Sequence, residues 1–158
     1  MNQAQDMSDR KASDIFSEKD LAEIEAATRD AEKNTSGEIR VVIRSHYDKG
    51  LEGDLHEQIK LDFLKHGLGK TRDKTGVIIL LVLEAKKFKI WGDEGIHAKV
   101  SQGYWNVLAV GMSAHFKEER YVQGICEAVA EVCKRLAEYF PKKPDDVDEL
   151  PNKPIVEG

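Results

Sequence analysis

Cysteine is scarce in this sequence: only Cys126 and Cys133 occur, seven residues apart on one predicted helix. A rise of about 1.5 Å per residue separates them by roughly 10 Å along that helix, so they cannot bond to each other and are expected as buried thiols. Long hydrophobic runs are also missing. The longest, Val77 to Leu83, falls far short of the roughly 18 residues of a membrane helix. The opening MNQAQDMSDRKASD has no apolar signal segment, so a cytoplasmic protein with no direct membrane insertion is expected. Positive charge is not in excess either. Lys and Arg number 24 against 29 Asp and Glu, giving a formal charge of -5 and a pI near 5.6. That balance offers no general attraction to nucleic-acid phosphates, and no nucleic-acid partner is expected.

Signatures of chemistry are equally sparse. His46, His56, His66, His97 and His115 show no paired spacing such as H-E-x-x-H, which argues against a zinc site. No G-x-S-x-G occurs, so a covalent nucleophile has no local support. His66-Gly67-Leu68-Gly69-Lys70-Thr71 ends in the Gly-Lys-Thr of a phosphate-binding loop, but Leu64 stands where that loop needs glycine. It reads as a helix C-cap and a solvated turn. The acidic run Asp145 to Glu149 lacks the spacing of a calcium loop and reads as a solvated tail.

What is present is a patterned α/β chain. Gly76 opens an entirely apolar run through Leu83, which suggests a strand buried on both faces. After a short link, Lys87, Phe88, Lys89, Ile90 and Trp91 alternate like an edge strand, whose lysines discourage pairing with other chains. Ile39, Val41 and Ile43 alternate with Arg40, Val42 and Arg44 in an earlier strand, and Leu55, Ile59 and Phe63 mark the crossover helix between the two. Strand, helix and strand form a βαβ unit with parallel strands, to which the hairpin adds an antiparallel third, in the order one, two, three. Further helices are expected from Ser17 to about Lys33, with Ser17 as the cap and acidic residues in the first turn, around Tyr104 to Phe116, and from Tyr121 to Phe140. The last has the clearest period, through Val122, Ile125, Val129, Val132 and Leu136. The expected fold is α/β: a three-layer α/β/α sandwich with a small mixed β-sheet. It comprises a flexible 1–15, a domain over 16–141, and an extended acidic tail over 142–158; Pro141, Pro144, Pro151 and Pro154 exclude a continuing helix from the end of the domain onward.

A candidate site follows from this topology. The two parallel strands begin near Glu38 and Gly76, while the antiparallel one ends near Trp91, so Glu38, Asp73, Asp93 and Glu94 share one end of the sheet. Carboxylates at loop ends suit a hard cation, Ca²⁺ or Mg²⁺, able to orient a phosphate or a water. In the alternative reading Asp93 caps the next helix, Glu94 is exposed, and Lys74 and Arg40 neutralise the rest. Ligands in open α/β sheets more often sit at the other end, here Ser45 to Gly50 and Glu84.

Ser36-Gly37-Glu38-Ile39, Gly76-Val77, Lys87-Phe88, Gly92-Asp93-Glu94-Gly95-Ile96, Phe116-Lys117, Tyr121, Gly124-Ile125 and Phe140-Pro141, in that order, resemble the TPM domain family over about Ser17 to Pro141. The resemblance implies an α/β/α sandwich whose members range from a plant thylakoid protein described as an acid phosphatase to membrane-anchored bacterial proteins and an animal receptor auxiliary protein. Such a spread suggests a binding scaffold reused in several settings. His97 and Gln102 stand where the family pattern carries Glu and Asp. Two functions are carried forward. One is a protein- or ion-binding module. The alternative is a weak metal-assisted acid-phosphatase type hydrolase, with Asp93 and Glu94 on the cation and His97 as its catalytic proton carrier. In a third arrangement, Trp91, Tyr104 and Trp105 anchor the domain to a protein partner.

Overall fold

Two apolar strands side by side set the architecture of the computed structural model, which describes residues 11–144 and 150–158. Strands β1 (Glu38–Arg44) and β2 (Gly76–Val82) run parallel, in register from Glu38 opposite Gly76 to Arg44 opposite Val82. Alternation sends Ile39, Val41, Ile43, Val77, Ile79 and Leu81 into one core and Val42, Ile78, Leu80 and Val82 into another. Strand β3 (Lys87–Gly92) pairs antiparallel with β2. The expected neighbours are all present, with β2 between β1 and β3.

A fourth strand completes the order β3-β2-β1-β4. This is β4 (Ile155–Glu157), a three-residue piece of the tail that pairs parallel with β1. Without it β1 would present an unpaired edge although both its faces are buried. Ser45 N–H donates to the Glu157 carbonyl at 2.8 Å, Lys65 Nζ donates to the Glu157 carboxylate at 2.9 Å, and Ile155 packs on the second core. The acidic run 145–149 lies outside the described residues.

Helices cover both faces. Helix α1 (Ala12–Ile15) docks by Ala12 and Phe16, its Ala12 N–H donating to Ser45 Oγ at 2.7 Å, so part of the segment expected to be flexible belongs to the packed body. Helix α2 (Glu18–Ala31) starts at a reciprocal cap, Asp20 N–H to Ser17 Oγ and Ser17 N–H to the Asp20 carboxylate. On the other face α3 (Leu55–Lys65) buries Ile59 and Phe63 and ends at His66, followed by Gly67 in the left-handed region, φ 82°. The helix C-cap expected in the stretch His66 to Thr71 is therefore present at His66-Gly67, but the rest of that turn is not simply solvated, because Leu68 and Thr71 are buried.

After the one-turn α4 (Glu94–His97) come α5 (Gln102–Lys117) and α6 (Tyr121–Tyr139), which join α2 on the first face. The three layers are thus α2, α5 and α6, then the mixed sheet, then α3. Cys126 and Cys133 on α6 are free. Burial pushes both thiols up, Cys126 to about 11.

Candidate functional site

Three places combine exposure, charge or shape in a way that bears on function. The first is the acidic loop. Gly92 is required by close approach, since a Cβ there would meet Ile96 at 2.6 Å; at Gly95 it would meet the Lys74 carbonyl oxygen at 2.5 Å. The loop is therefore pressed onto the 73–74 backbone, held by Asp93 N–H to Gly76 O at 2.9 Å and Gly95 N–H to Lys74 O at 3.0 Å. Asp93 caps α4, its Oδ1 accepting from Glu94 N–H at 2.7 Å. Its Oδ2 is buried without a hydrogen-bond partner.

The five residues singled out at this end divide into two groups. Asp93, Glu94 and His97 line one cleft of about 380 Å³, together with Lys60, Lys74 and Trp91. Glu94 and His97 are exposed there, and the His97 ring meets Trp91 edge-on at 6.0 Å. Glu38 and Asp73 do not line it. Glu38 is only 3% exposed at the start of β1, and the Asp73 carboxylate turns to Arg72 Nε at 3.3 Å. Among the described residues no three His, Cys, Asp or Glu side chains are grouped to hold a metal ion. Lys74 Nζ donates to the Gly69 carbonyl at 3.1 Å. Gln102 donates from Nε2 to Ile90 O at 2.8 Å and to Asn106 Oδ1 at 2.9 Å, a clip that an Asp carboxylate could not make.

At the opposite end of β1 lies a buried polar network that the strand pattern hinted at only by placing Arg40 and Arg44 on an inward face. Arg44 grips Asp62 through Nε to Oδ2 at 2.7 Å and Nη2 to Oδ1 at 2.8 Å, and Asp62 is fully buried. Gln58 donates from Nε2 to Asp48 and Asp62, while Asp48 N–H donates to Gln58 Oε1 at 2.7 Å. Burial works to lower the Arg44 pKa, but the Asp62 hydrogen bond and charge raise it on balance. Each partner is satisfied, so this network braces the 45–50 loop and presents no open coordination position.

The third place is a groove between β3 and α5. Its volume is about 470 Å³, within the range of ligand-binding clefts, and its apolar lining includes Leu81, Leu83, Phe88, Ala109, Val110 and Phe116. Lys86, Lys87, Lys89 and Lys117 also line it, and no carboxylate does among the described residues. Helix α5 buries only Trp105 and Ala109, leaving Val107 74% and Val110 73% exposed. The signal in the sequence was α5 itself, apolar on nearly every side from Tyr104 to Phe116. The aromatic residues singled out for contact are otherwise engaged: Trp105 is buried, Tyr104 lies under the Arg135 guanidinium at 4.2 Å, and Trp91 packs on Phe63 at 5.1 Å.

A mixed four-stranded sheet between one helix and a three-helix layer, with a glycine-framed Asp-Glu loop following the hairpin, defines a small α/β/α sandwich domain. The chain matches the profile of the TPM domain over residues 10–135 and belongs to that family. Its fold is similar to the NMR structure of BA42 from the psychrophilic bacterium Bizionia argentinensis, at 36% identity and TM-score 0.80, covering 94% of this chain and 99% of that one. The N-terminal domain of a P. gingivalis protein is similar at 18% identity and TM-score 0.66, covering 82% and 81%. That of cg2496 from Corynebacterium glutamicum is similar at 14% identity and TM-score 0.62, covering 94% and 93%. These last two bear on the fold alone. No curated protein matches the chain. No helix among the described residues is long and apolar enough to cross a membrane.

Proposed function

We propose that this TPM domain is a protein-binding module whose working surface is the groove between β3 and α5. The observation that carries the reading is the mismatch on α5: an apolar helix that buries two residues, leaves Val107 and Val110 standing in solvent, and sets Val110 beside the apolar floor of the groove. Exposed apolar surface next to a concavity is the usual mark of an interaction site. The two free cysteines, Cys133 buried and Cys126 half-buried, suit a reducing compartment such as the cytoplasm. A selection of peptides against the folded protein tests the reading, with each selected peptide then measured on Val110→Asp. Peptides that bind the wild type and are lost on Val110→Asp support it. A selection yielding only peptides indifferent to Val110→Asp contradicts it.

A second reading rests on the unpartnered, buried Asp93 Oδ2 in the cleft with Glu94 and His97. There Asp93 and Glu94 hold Ca²⁺ or Mg²⁺, and His97 carries a proton in a weak phosphatase-type hydrolysis. Calorimetric titration with each cation, repeated on Asp93→Asn, decides it. Saturable binding lost in the variant supports the site; heat unchanged by the variant removes it.

A further inference from the structure

Resting on the reading of the β3–α5 groove as a protein-binding surface, we infer that its occupant is an extended segment of alternating apolar and acidic residues that adds to the sheet as a fifth strand along β3. Among the described residues, β3 is the last strand on its side of the sheet. Its pairing with β2 fixes which backbone groups face outward. Asp93 N–H donates to Gly76 O, which makes that opposed pair a hydrogen-bonded one. Every second pair in the same register, ending at Val82 with Lys87, is then also hydrogen-bonded. The intervening residues Phe88 and Ile90 turn their N–H and C=O to the outer edge. Gln102 Nε2 confirms the direction by reaching the Ile90 carbonyl from α5. Ile90 itself is fully buried and its carbonyl is taken, so a neighbouring strand pairs through the N–H and C=O of the half-buried Phe88.

The side chains of β3 then dictate the occupant. Phe88 and Ile90 belong to the α5 face, so a strand laid beside them sends every second side chain into the apolar groove. Lys87 and Lys89 alternate with them on the other face, so the remaining side chains of the added strand stand beside two ammonium groups. Opposite charges in such cross-strand pairs stabilise and like charges destabilise. Lys86 and Lys117 add positive charge at the end of the groove. The chain as a whole carries -5, which makes this lysine edge a local reversal of its charge. A second copy offering its own β3 would bring lysines against lysines, which excludes symmetric self-pairing and leaves an acidic strand as the match. Leu150 packs against the core on the α3 side of the sheet.

The test uses a labelled peptide alternating valine with glutamate, its valine–lysine counterpart, and a neutral valine–threonine peptide, each titrated into the intact protein by fluorescence anisotropy. The glutamate peptide is expected to bind, weaken with added salt, and lose about tenfold in affinity on Lys87→Glu/Lys89→Glu, while the lysine peptide gains on that variant. In the complex, the Phe88 amide is expected to exchange with solvent more slowly. Binding without slower exchange at this amide overturns strand addition. Equal binding of the neutral and acidic peptides, both lost on Val110→Asp, overturns the acidic chemistry but leaves the groove as a protein site. Binding of none of the three peptides, with sedimentation on vesicles of three parts phosphatidylcholine to one part phosphatidylglycerol, assigns the lysines to a membrane surface and overturns the inference. Concentration-dependent dimerisation abolished by Val110→Asp assigns the groove to a second copy and overturns it as well.

Discussion

Helices α5 and α6 are neighbours in sequence and in space, are both rich in apolar residues, and differ in what they do with them. Helix α6 turns Tyr121, Gly124, Ile125, Ala128, Val129, Val132, Cys133 and Leu136 inward along one stripe. Helix α5 buries Trp105 and Ala109 and spreads the rest around its circumference. A helix whose apolar residues keep to one stripe completes a core; one whose apolar residues spill past the stripe leaves surface for something else. The difference separates the part of the molecule that holds the fold from the part assigned here to binding.

The comparison is broken most severely on α6. Ile125→Ala leaves a cavity in a fully buried position and is expected to cost about 2–5 kcal/mol, whereas Val110→Ala on α5 stays within about 0.5 kcal/mol. Urea denaturation of the two variants measures both. A smaller effect comes from the contact between the helices. A Cβ at Gly124 would meet Phe116 at 2.9 Å and His115 at 3.0 Å, so Gly124→Ala forces α5 and α6 apart and costs about 1–3 kcal/mol. Gly111, on the open side of α5, has nothing within 4 Å of its Cβ position. Gly111→Ala is therefore expected to raise stability, by up to about 1 kcal/mol through helix propensity alone, and a matched pair of melts shows opposite signs for the two glycines.

The smallest effect is at the turn that ends the groove. Glu84 accepts from the Tyr47 N–H at 2.9 Å and faces His46 Nδ1 at 3.2 Å. The backbone hydrogen bond, with the His46 interaction, holds its carboxyl below the usual range. Because the folded pKa is the lower one, this contribution is present above the unfolded value near 4.3 and is lost as pH falls through the folded value. The stability gap between wild type and Glu84→Gln is expected to be widest near neutral pH and to close in acid. A gap that widens in acid reverses the sign of the shift.

Legibility in the sequence followed the range of the interactions involved. The stripe of α6, the buried run of β2 and the cap at Ser17 are set by local periodicity and local hydrogen bonds, and each was readable residue by residue. Strand β4 was not, because Ile155, Val156 and Glu157 carry no period and form a strand only by pairing with β1. The shared sheet end of Glu38, Asp73, Asp93 and Glu94 followed from strand directions. Whether each side chain opens into the cleft depends on contacts such as Arg72 with Asp73, which topology does not specify. The Arg44–Asp62 pair joins residues eighteen apart in sequence across two layers and left only the mark of an arginine on an inward strand face. Tyr104, Trp105, Leu108, Met112, His115 and Phe116 mark one side of α5 in the sequence, but Val107 and Val110 fall outside that group, and which side remained uncovered was decided by the packing of α6 and β3.

One paired measurement tests the central claim most directly: the denaturation midpoint of Val110→Asp and its affinity for a peptide selected on the wild type, taken from the same preparation. An unchanged midpoint with binding lost is the predicted result, since Val110 already stands in solvent. A collapsed midpoint would make α5 part of the core, and intact binding would place the working surface elsewhere on the domain.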